Sequence, residues 1–338
     1  MSEPRMRSSP EFDLIAAIRD RLGERGRDDV RIGIGDDAAV VDEAGGARAV
    51  TVDAIVDGVA FRRSWCPPRA IGRKAAGAAL SDLAAMGAEP SELYVWVGLP
   101  EDFSRDEALE LCDGLADLAE SSGAALLGGD LTSSPVLAVA VTAVGRTADP
   151  GRMIGRSGAA EGEAICVTGT FGGAAAGLML LEHPELAGDV PPAAAEAVRD
   201  RQLSPVPRLA AGRALAGAGA TAMIDVSDGL GADAEHLAAA SGVEIEIQVG
   251  AVPVAAGVPE AAAASGRDVT EFVLAGGEDY ELLCSVPRSV LADCGPAVAA
   301  TGTELIEIGR VQPGSGVRLR LPGGRSVPAA GHDHLSGT

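Results

Sequence analysis

The sequence predicts a two-domain α/β protein, and three observations carry that expectation. The chain is 338 residues long, beyond the size at which a single hydrophobic core keeps growing. Apolar strand-like runs alternate with helix-period segments through both halves, the pattern of α/β folds. Around residues 147–162 (TADPGRMIGRSGAAEG) periodicity stops and Gly, Pro and charge take over. The junction is placed there, giving domains 1–150 and 151–338.

In the first half, Ser9-Pro10 opens a helix with Phe12, Ile15, Ile18 and Leu22 on one side, and Gly23 stops it. RAVTVDAIV (48–56) reads as a strand running into a loop at Asp53. Pro67 to Met86 is a long helix of small residues closed by Gly87, with Asp82 in its last turns. ELYVWVGL (92–99) is a strand. Ser104 with Glu107 forms a capping box for a helix that ends at Gly123. ALLGGD (125–130) and VLAVAVTAVGR (136–146) are two more strands.

The second half starts with a strand, EAICVTG (163–169), and a Gly-Ala helix from about Phe171. Pro-rich RQLSPVPRL (201–209) follows. ATAMIDVS (220–227) is a strand, Leu230 to Ala240 a helix, and VEIEIQV (243–249) an alternating strand. YELLCSV (280–286), ELIEIGRV (304–311) and VRLRL (317–321) complete the strands, so this half is α/β or α+β.

Apolar residues make up 47% of the chain and aromatics only 3%, so the cores consist mostly of Ala, Val, Leu and Ile. The net charge of −22, with no basic run to offset it, argues against nucleic acid or an anionic membrane as partner. The same charge would repel an anionic substrate unless a bound divalent metal inverted the local field. Five cysteines without a CxxC pair indicate a reduced protein with small buried thiols rather than a zinc site. The N-terminus has no apolar signal-like core, and the longest apolar stretch is too short to span a bilayer. A soluble cytoplasmic protein is expected.

Seven aspartates sit in short motifs rich in small residues: Asp36 and Asp37 (GIGDDAAVV), Asp53 (TVDAIVDG), Asp82 (LSDLAAMGA), Asp130 (LLGGDLTSS), and Asp225 with Asp228 (IDVSDGL). Any one could be a turn or cap residue. The set is less easily dismissed: Asp53 and Asp130 end apolar strands, Asp225 ends ATAMID and Asp228 lies on the following turn, the usual position of ligands in open α/β sheets. Asp82 lies on an otherwise Ala-Leu-Met helix and would be costly without a partner. Gathered carboxylates stay ionised only if cations hold them, and Mg²⁺ takes carboxylate and phosphate oxygen together. The reading is a Mg²⁺-dependent phosphate enzyme.

Other nucleotide motifs are excluded. Gly33-x-Gly35-x-x-Ala38 imitates a dinucleotide fingerprint, but an extended segment follows it rather than a helix. No GxxxxGK[ST] is present. GGEDYEL (276–282) places Glu278 and Asp279 after a Gly pair, and RSGA (156–159) offers Arg156 as a cation for phosphate. His183 and His236 read as structural, and His332 and His334 lie in the tail. No Ser-His-Asp or Cys-His arrangement is apparent. Transfer to an acceptor that is already an ionised phosphate requires no general base; positioning and charge neutralisation suffice.

GIGDDAAVV, TVDAIVDGVAF, GRKAAGAALSDLAAMGAEP, LLGGDLTSS, GRSGA, VTGTFGGAAAGL, SPVPRL, MIDVSDGL and GGEDYELL, in this order, resemble the thiamine-monophosphate kinase family of the aminoimidazole-ribonucleotide synthetase superfamily. The match runs from about residue 11 to residue 335. The resemblance implies a two-domain fold whose N-terminal sheet pairs across a homodimer, with a cleft between the domains. It implies ATP-dependent phosphorylation of thiamine monophosphate to thiamine diphosphate with several Mg²⁺ ions. By the same resemblance Asp37, Thr51, Val52 (through its carbonyl), Asp53, Asp82, Asp130, Asp225 and Asp228 would hold metal. Gly129, Asp130, Arg156 and Ser227 would contact ATP, and Glu278 the thiamine moiety. Asp36 would support its loop.

The departures from the family pattern fall on the acceptor side. Ala60 stands where the family has a substrate-contacting His, and Ala329 where it has an aromatic; His332 and Leu335 replace an aromatic and a Phe. A cation–π contact to a thiazolium would contribute about 0.5–2 kcal/mol. A related kinase or synthetase acting on another phosphate monoester is therefore the alternative. A non-catalytic metal–nucleotide binder would not need the complete aspartate set.

Overall fold

The computed structural model describes residues 29–321, with short stretches at 15–17, 19–20 and 326–327. Residues 15–17 and 19–20 are helical. The rest of the helix expected from Ser9-Pro10, with its stop at Gly23, lies outside the described residues.

The first half comprises β1 (Val30–Ile32), β2 (Ala39–Glu43), β3 (Gly46–Val56), α1 (Pro68–Ala85), β4 (Glu89–Leu99), α2 (Arg105–Ser121), β5 (Ala125–Ser133) and β6 (Ala138–Thr147). Its six strands are ordered β1-β2-β3-β6-β4-β5, antiparallel except for the parallel edge pair β4–β5. Helix α2 begins with the expected capping box: Ser104 accepts from the Glu107 amide and Glu107 from the Ser104 amide. α1 and α2 cross at glycines. A Cβ on Gly72 would lie 2.0 Å from the Leu111 carbonyl oxygen, and one on Gly114 1.9 Å from that of Arg69. Both helices cover one face of the sheet. β3 alternates accordingly, burying Ala47, Ala49 and Thr51 while Val52 on the other face is 66% exposed.

The second half comprises β7 (Ala164–Thr168), α3 (Gly173–Glu182), α4 (Pro192–Leu203), α5 (Leu209–Ala218), β8 (Ala222–Asp225), α6 (Leu230–Ser241), β9 (Glu244–Gln248), α7 (Val258–Ser265), α8 (Val269–Ala275), β10 (Leu282–Val286), α9 (Leu291–Ala299), β11 (Leu305–Gln312), β12 (Gly316–Arg320) and β13 (Ser326–Val327). Its sheet runs β13-β12-β9-β11-β7-β10-β8 and is antiparallel apart from β12–β9. The Pro-rich segment is narrower than its sequence suggested, because α4 and α5 flank it closely.

Helix α1 joins the halves through one stripe. Lys74 bonds Gln202 and Glu278, Gly77 packs on Pro205, and Ser81 bonds Asp225. At Ala84 the carbonyl oxygen would lie 2.0 Å from a Cβ on Gly212 of α5. Positions 74, 77, 81 and 84 recur at helical spacing, so a single face of α1 docks the second half.

Candidate active site

That docking brings three carboxylates together. Asp37 comes from the loop before β2, Asp82 from the last turn of α1, and Asp225 from the end of β8; an oxygen of each lies within 4.8 Å of the other two. The Arg156 Nε and Nη2 donate to Asp37 Oδ1 at 3.0 and 2.5 Å. Asp37 Oδ2 is buried with no partner. Thr51 Oγ1 donates to Asp82 Oδ2, and Ser81 Oγ to Asp225 Oδ2, each at 2.5 Å.

Burial is the main reason these groups hold protons strongly, and their mutual repulsion adds to it. Asp37 is pushed up to about 6 and Asp225 to about 8, while Asp82 is raised well above the usual carboxylate range. One guanidinium would not offset all three carboxylates if they were ionised together. An all-oxygen donor set with an orphaned carboxylate oxygen fits a hard divalent cation such as Mg²⁺.

Asp53 faces α1 from β3, on the same side as Thr51, and its charge raises both Asp82 and Asp225. It does not end its strand as expected. β3 continues to Val56, because β6 supplies pairing partners as far as Ala138. Val52 points its side chain to the opposite, open face. Asp130 is separate from the cluster. Nor does it end its strand: it lies exposed within edge strand β5, which pairs with β4 as far as Ser133, in register with Trp96 on the sheet face turned away from α1; Gly129 pairs with Val95.

Asp228 belongs to a second group, with Asp233 and His236. The Asp228 and Gly229 amides donate to Asp233 Oδ2, each at 3.1 Å, which fixes the turn after β8. Burial, with help from Arg156, lowers His236 to about 4, so it is neutral near pH 7. Asp36 accepts from the Asp37 and Arg156 amides and ties the two loops together. Ser227 is half-buried, and its carbonyl accepts from the Glu278 amide at 2.8 Å.

Glu278 is held from α1 and α4. Lys74 Nζ lies 2.9 Å from its Oε1 and 3.0 Å from its Oε2, and Gln202 Nε2 donates to Oε2 at 2.6 Å. Asp279 serves a different purpose. It accepts from the Gly172 and Ala174 amides at the start of α3, a cap rather than a cleft residue. Ala60 lies half-buried in the turn after β3. Beside this turn is a cavity of about 430 Å³ lined by Asp57, Arg62, Arg63, Cys66, Ile71 and Phe103, among others. Ala329, His332 and Leu335 lie outside the described residues.

Sequence reasoning passed over Lys74, Ser81, Asp233 and Tyr280. Tyr280 is buried, and burial pushes its hydroxyl well up, with Glu278, Asp53, Asp225 and Asp82 adding to the shift. It therefore sits in electrostatic reach of both Glu278 and the carboxylates. The available signal was a charged residue in an Ala-rich helix, which applies to Lys74 as much as to Asp82.

Comparison with known proteins places this geometry. Residues 35–147 match the AIR synthase related protein N-terminal domain, and residues 160–322 the C-terminal domain of the same description. The thiamine-monophosphate kinase of Mycobacterium tuberculosis is 39% identical over 275 residues, covering 79% of each chain. That of Aquifex aeolicus is 32% identical over 98% of this chain and 100% of its own. The chain belongs to the thiamine-monophosphate kinase family. A solved structure, AaThiL complexed with AMPPCP and TMP, superposes with a TM-score of 0.85 at 32% identity, over 99% of this chain and 100% of that one. The thiamine-monophosphate kinase of Stenotrophomonas maltophilia K279a gives 0.75 at 37%, over 92% and 96%. Escherichia coli HypE, a hydrogenase maturation protein, gives 0.67 at 22% over 96% and 99%, a likeness of fold alone. The two-sheet α/β fold is thus that of the thiamine-monophosphate kinases, and among the described residues no helix is long and apolar enough to cross a membrane.

Proposed function

We propose that this protein transfers the γ-phosphoryl group of ATP to thiamine monophosphate, giving ADP and thiamine diphosphate. The observation that carries this reading is the buried Asp37–Asp82–Asp225 cluster, in a chain matched along nearly its whole length by thiamine-monophosphate kinases. AaThiL, with its bound AMPPCP (an ATP analogue) and TMP, supports both substrates.

Asp37, Thr51, Asp53, Asp82, Asp225 and Asp228 would hold Mg²⁺, with Val52 offering only its carbonyl. When bound, Mg²⁺ would neutralise the phosphate oxygens and draw anions toward a protein of net charge −22. Arg156 and Ser227 are assigned to ATP; Gly129 and Asp130, which the resemblance also gives to ATP and, for Asp130, to metal, lie on edge strand β5 away from this cluster and would join the site only from a second copy. An oxygen of the acceptor phosphate attacks the γ-phosphorus, and ADP leaves from the opposite side. The acceptor oxygen is already ionised, so no side chain has to remove a proton. Glu278 faces the acceptor, whose ring end would occupy the cavity beside Ala60. Asp130 lies on the open sheet face with Val52 and Trp96, the face through which a second copy would dock.

The test is direct: purified protein with ATP, Mg²⁺ and thiamine monophosphate should form thiamine diphosphate in stoichiometry with ADP. No product with this acceptor, alongside turnover of another phosphate monoester, would move the assignment to the alternative that Ala60 raises.

A further inference from the structure

Lys74 is 1% exposed on a helix face built otherwise of alanine, glycine and serine. A buried ammonium is costly unless fully partnered, and an apolar pair in place of a buried ion pair is often at least as stable. Joining the two halves does not therefore require a charge here. Its partner is unusual as well. Glu278 (φ 63°) and Tyr280 (φ 50°) are the two non-glycine residues with positive φ among those described. Such backbone is sparsely populated and persists where the surroundings impose it.

The restraints are visible. The Glu278 amide donates to the Ser227 carbonyl at 2.8 Å and the Tyr280 amide to the Val226 carbonyl at 2.9 Å. Glu278 thus hangs by its backbone from the loop that carries Asp228, and by its carboxylate from α1. Lys74 reaches both carboxylate oxygens and also donates to the Gln202 carbonyl at 3.0 Å. The Glu278 side chain keeps 24% of its surface open. A ligand can therefore reach Glu278 but not Lys74.

The pair also lies between two sites on one helix. Ile71, lining the cavity, is one turn before Lys74; Asp82 is about two turns beyond it. The eleven helical steps from Ile71 to Asp82 span about 16 Å, a length suited to a ring-bearing phosphate ester.

We propose that Lys74 is a positioning residue of the acceptor site: through its contacts to both carboxylate oxygens it fixes where the Glu278 side chain points, between the cavity and the aspartate cluster. This inference rests on the assignment of Glu278 to the acceptor.

The experiment is a double-mutant cycle with Lys74→Met, Glu278→Gln and both together, read as separate KM values for thiamine monophosphate and ATP. Lys74→Met should raise KM for thiamine monophosphate at least tenfold and leave KM for ATP within twofold. In the Glu278→Gln background it should add less than twofold. Multiplying effects, equal shifts in both KM values, or wild-type kinetics would overturn the proposal. If Lys74→Met does not fold, Lys74→Gln takes its place in the cycle, with the same expected rise in KM for thiamine monophosphate alone and the same loss of that effect in the Glu278→Gln background. Absence of thiamine monophosphate turnover in the unmodified protein would instead defeat the functional assignment itself.

Discussion

Ser81 on α1 donates its hydroxyl to Asp225 at the end of β8, at 2.5 Å, and so links the two halves at the carboxylate cluster. Its neighbour Asp82 belongs to the cluster directly. One helical turn therefore both docks the second half and builds the proposed metal site. Ser81→Ala should retain the fold and lower Mg²⁺ affinity about tenfold, the size of effect typical of a residue that orients a ligand. Calorimetric titration with Mg²⁺, with circular dichroism as the fold control, measures it; unchanged affinity would separate Ser81 from the site.

Metal binding should release protons. Asp225 is raised to about 8 and Asp37 to about 6, so at pH 6.5 the metal-free cluster carries protons that a cation must displace. Titrating Mg²⁺ in buffers of different ionisation enthalpy should show release at pH 6.5 that diminishes by pH 9. Apparent affinity should rise over the same interval. A heat independent of buffer would show that the cluster is already ionised or is not where Mg²⁺ binds.

The legible parts of this chain are those where local chemistry is unambiguous. Pro67, Gly87 and the Ser104–Glu107 box bound α1 and α2 within a residue or two. Asp82 stood out through the cost of burying a carboxylate, and it is in the cluster. Helices α4 and α7 were not legible, because PAAAEAVRDRQL and VPEAAAAS carry weak apolar periodicity, whereas α8 does carry a start signal, the Asp268–Glu271 capping box. The separation of Asp53 from Asp130 was also hidden. Each lies on a strand, but which face it takes depends on the pairing of β3, β6, β4 and β5, and that is set by long-range contacts.

Asp279 gives the fold a pH dependence separate from metal. Burial raises it to about 7, although it caps α3. A carboxyl raised in the folded state lends stability that is complete below its unfolded value of 3.8 and is lost as pH rises through about 7. In the presence of chelator, thermal stability should therefore fall between about pH 4 and 7. Asp279→Asn keeps an acceptor for the Gly172 amide without the charge and should flatten that slope. Melting curves of both proteins across this range provide the check, and an unaltered slope would assign the dependence to other groups.

The open face of the first sheet predicts self-association. Val52 is 66% exposed, and Tyr94 and Trp96 are each 38% exposed, an apolar row on strands that are otherwise well packed. Light scattering should give twice the 33.8 kDa chain mass. Trp96→Glu places a like charge on both copies and should shift the mass toward one chain. A monomeric unmodified protein would remove this face from the account of Asp130.

Ala60 provides the sharpest test of the acceptor. It sits in the turn beside the Asp57–Arg62–Phe103 cavity, with its amide donating to the Val56 carbonyl at 3.1 Å. The family pattern has a histidine there. Ala60→His adds a ring that can hydrogen-bond or stack on the acceptor without disturbing the Asp37–Asp82–Asp225 cluster. With thiamine monophosphate as acceptor, KM for it should fall several-fold, about 1 kcal/mol of added binding, while KM for ATP stays constant. An unchanged or higher KM would mean that this cavity is shaped for a different phosphate monoester, with the same phosphoryl-transfer centre serving it.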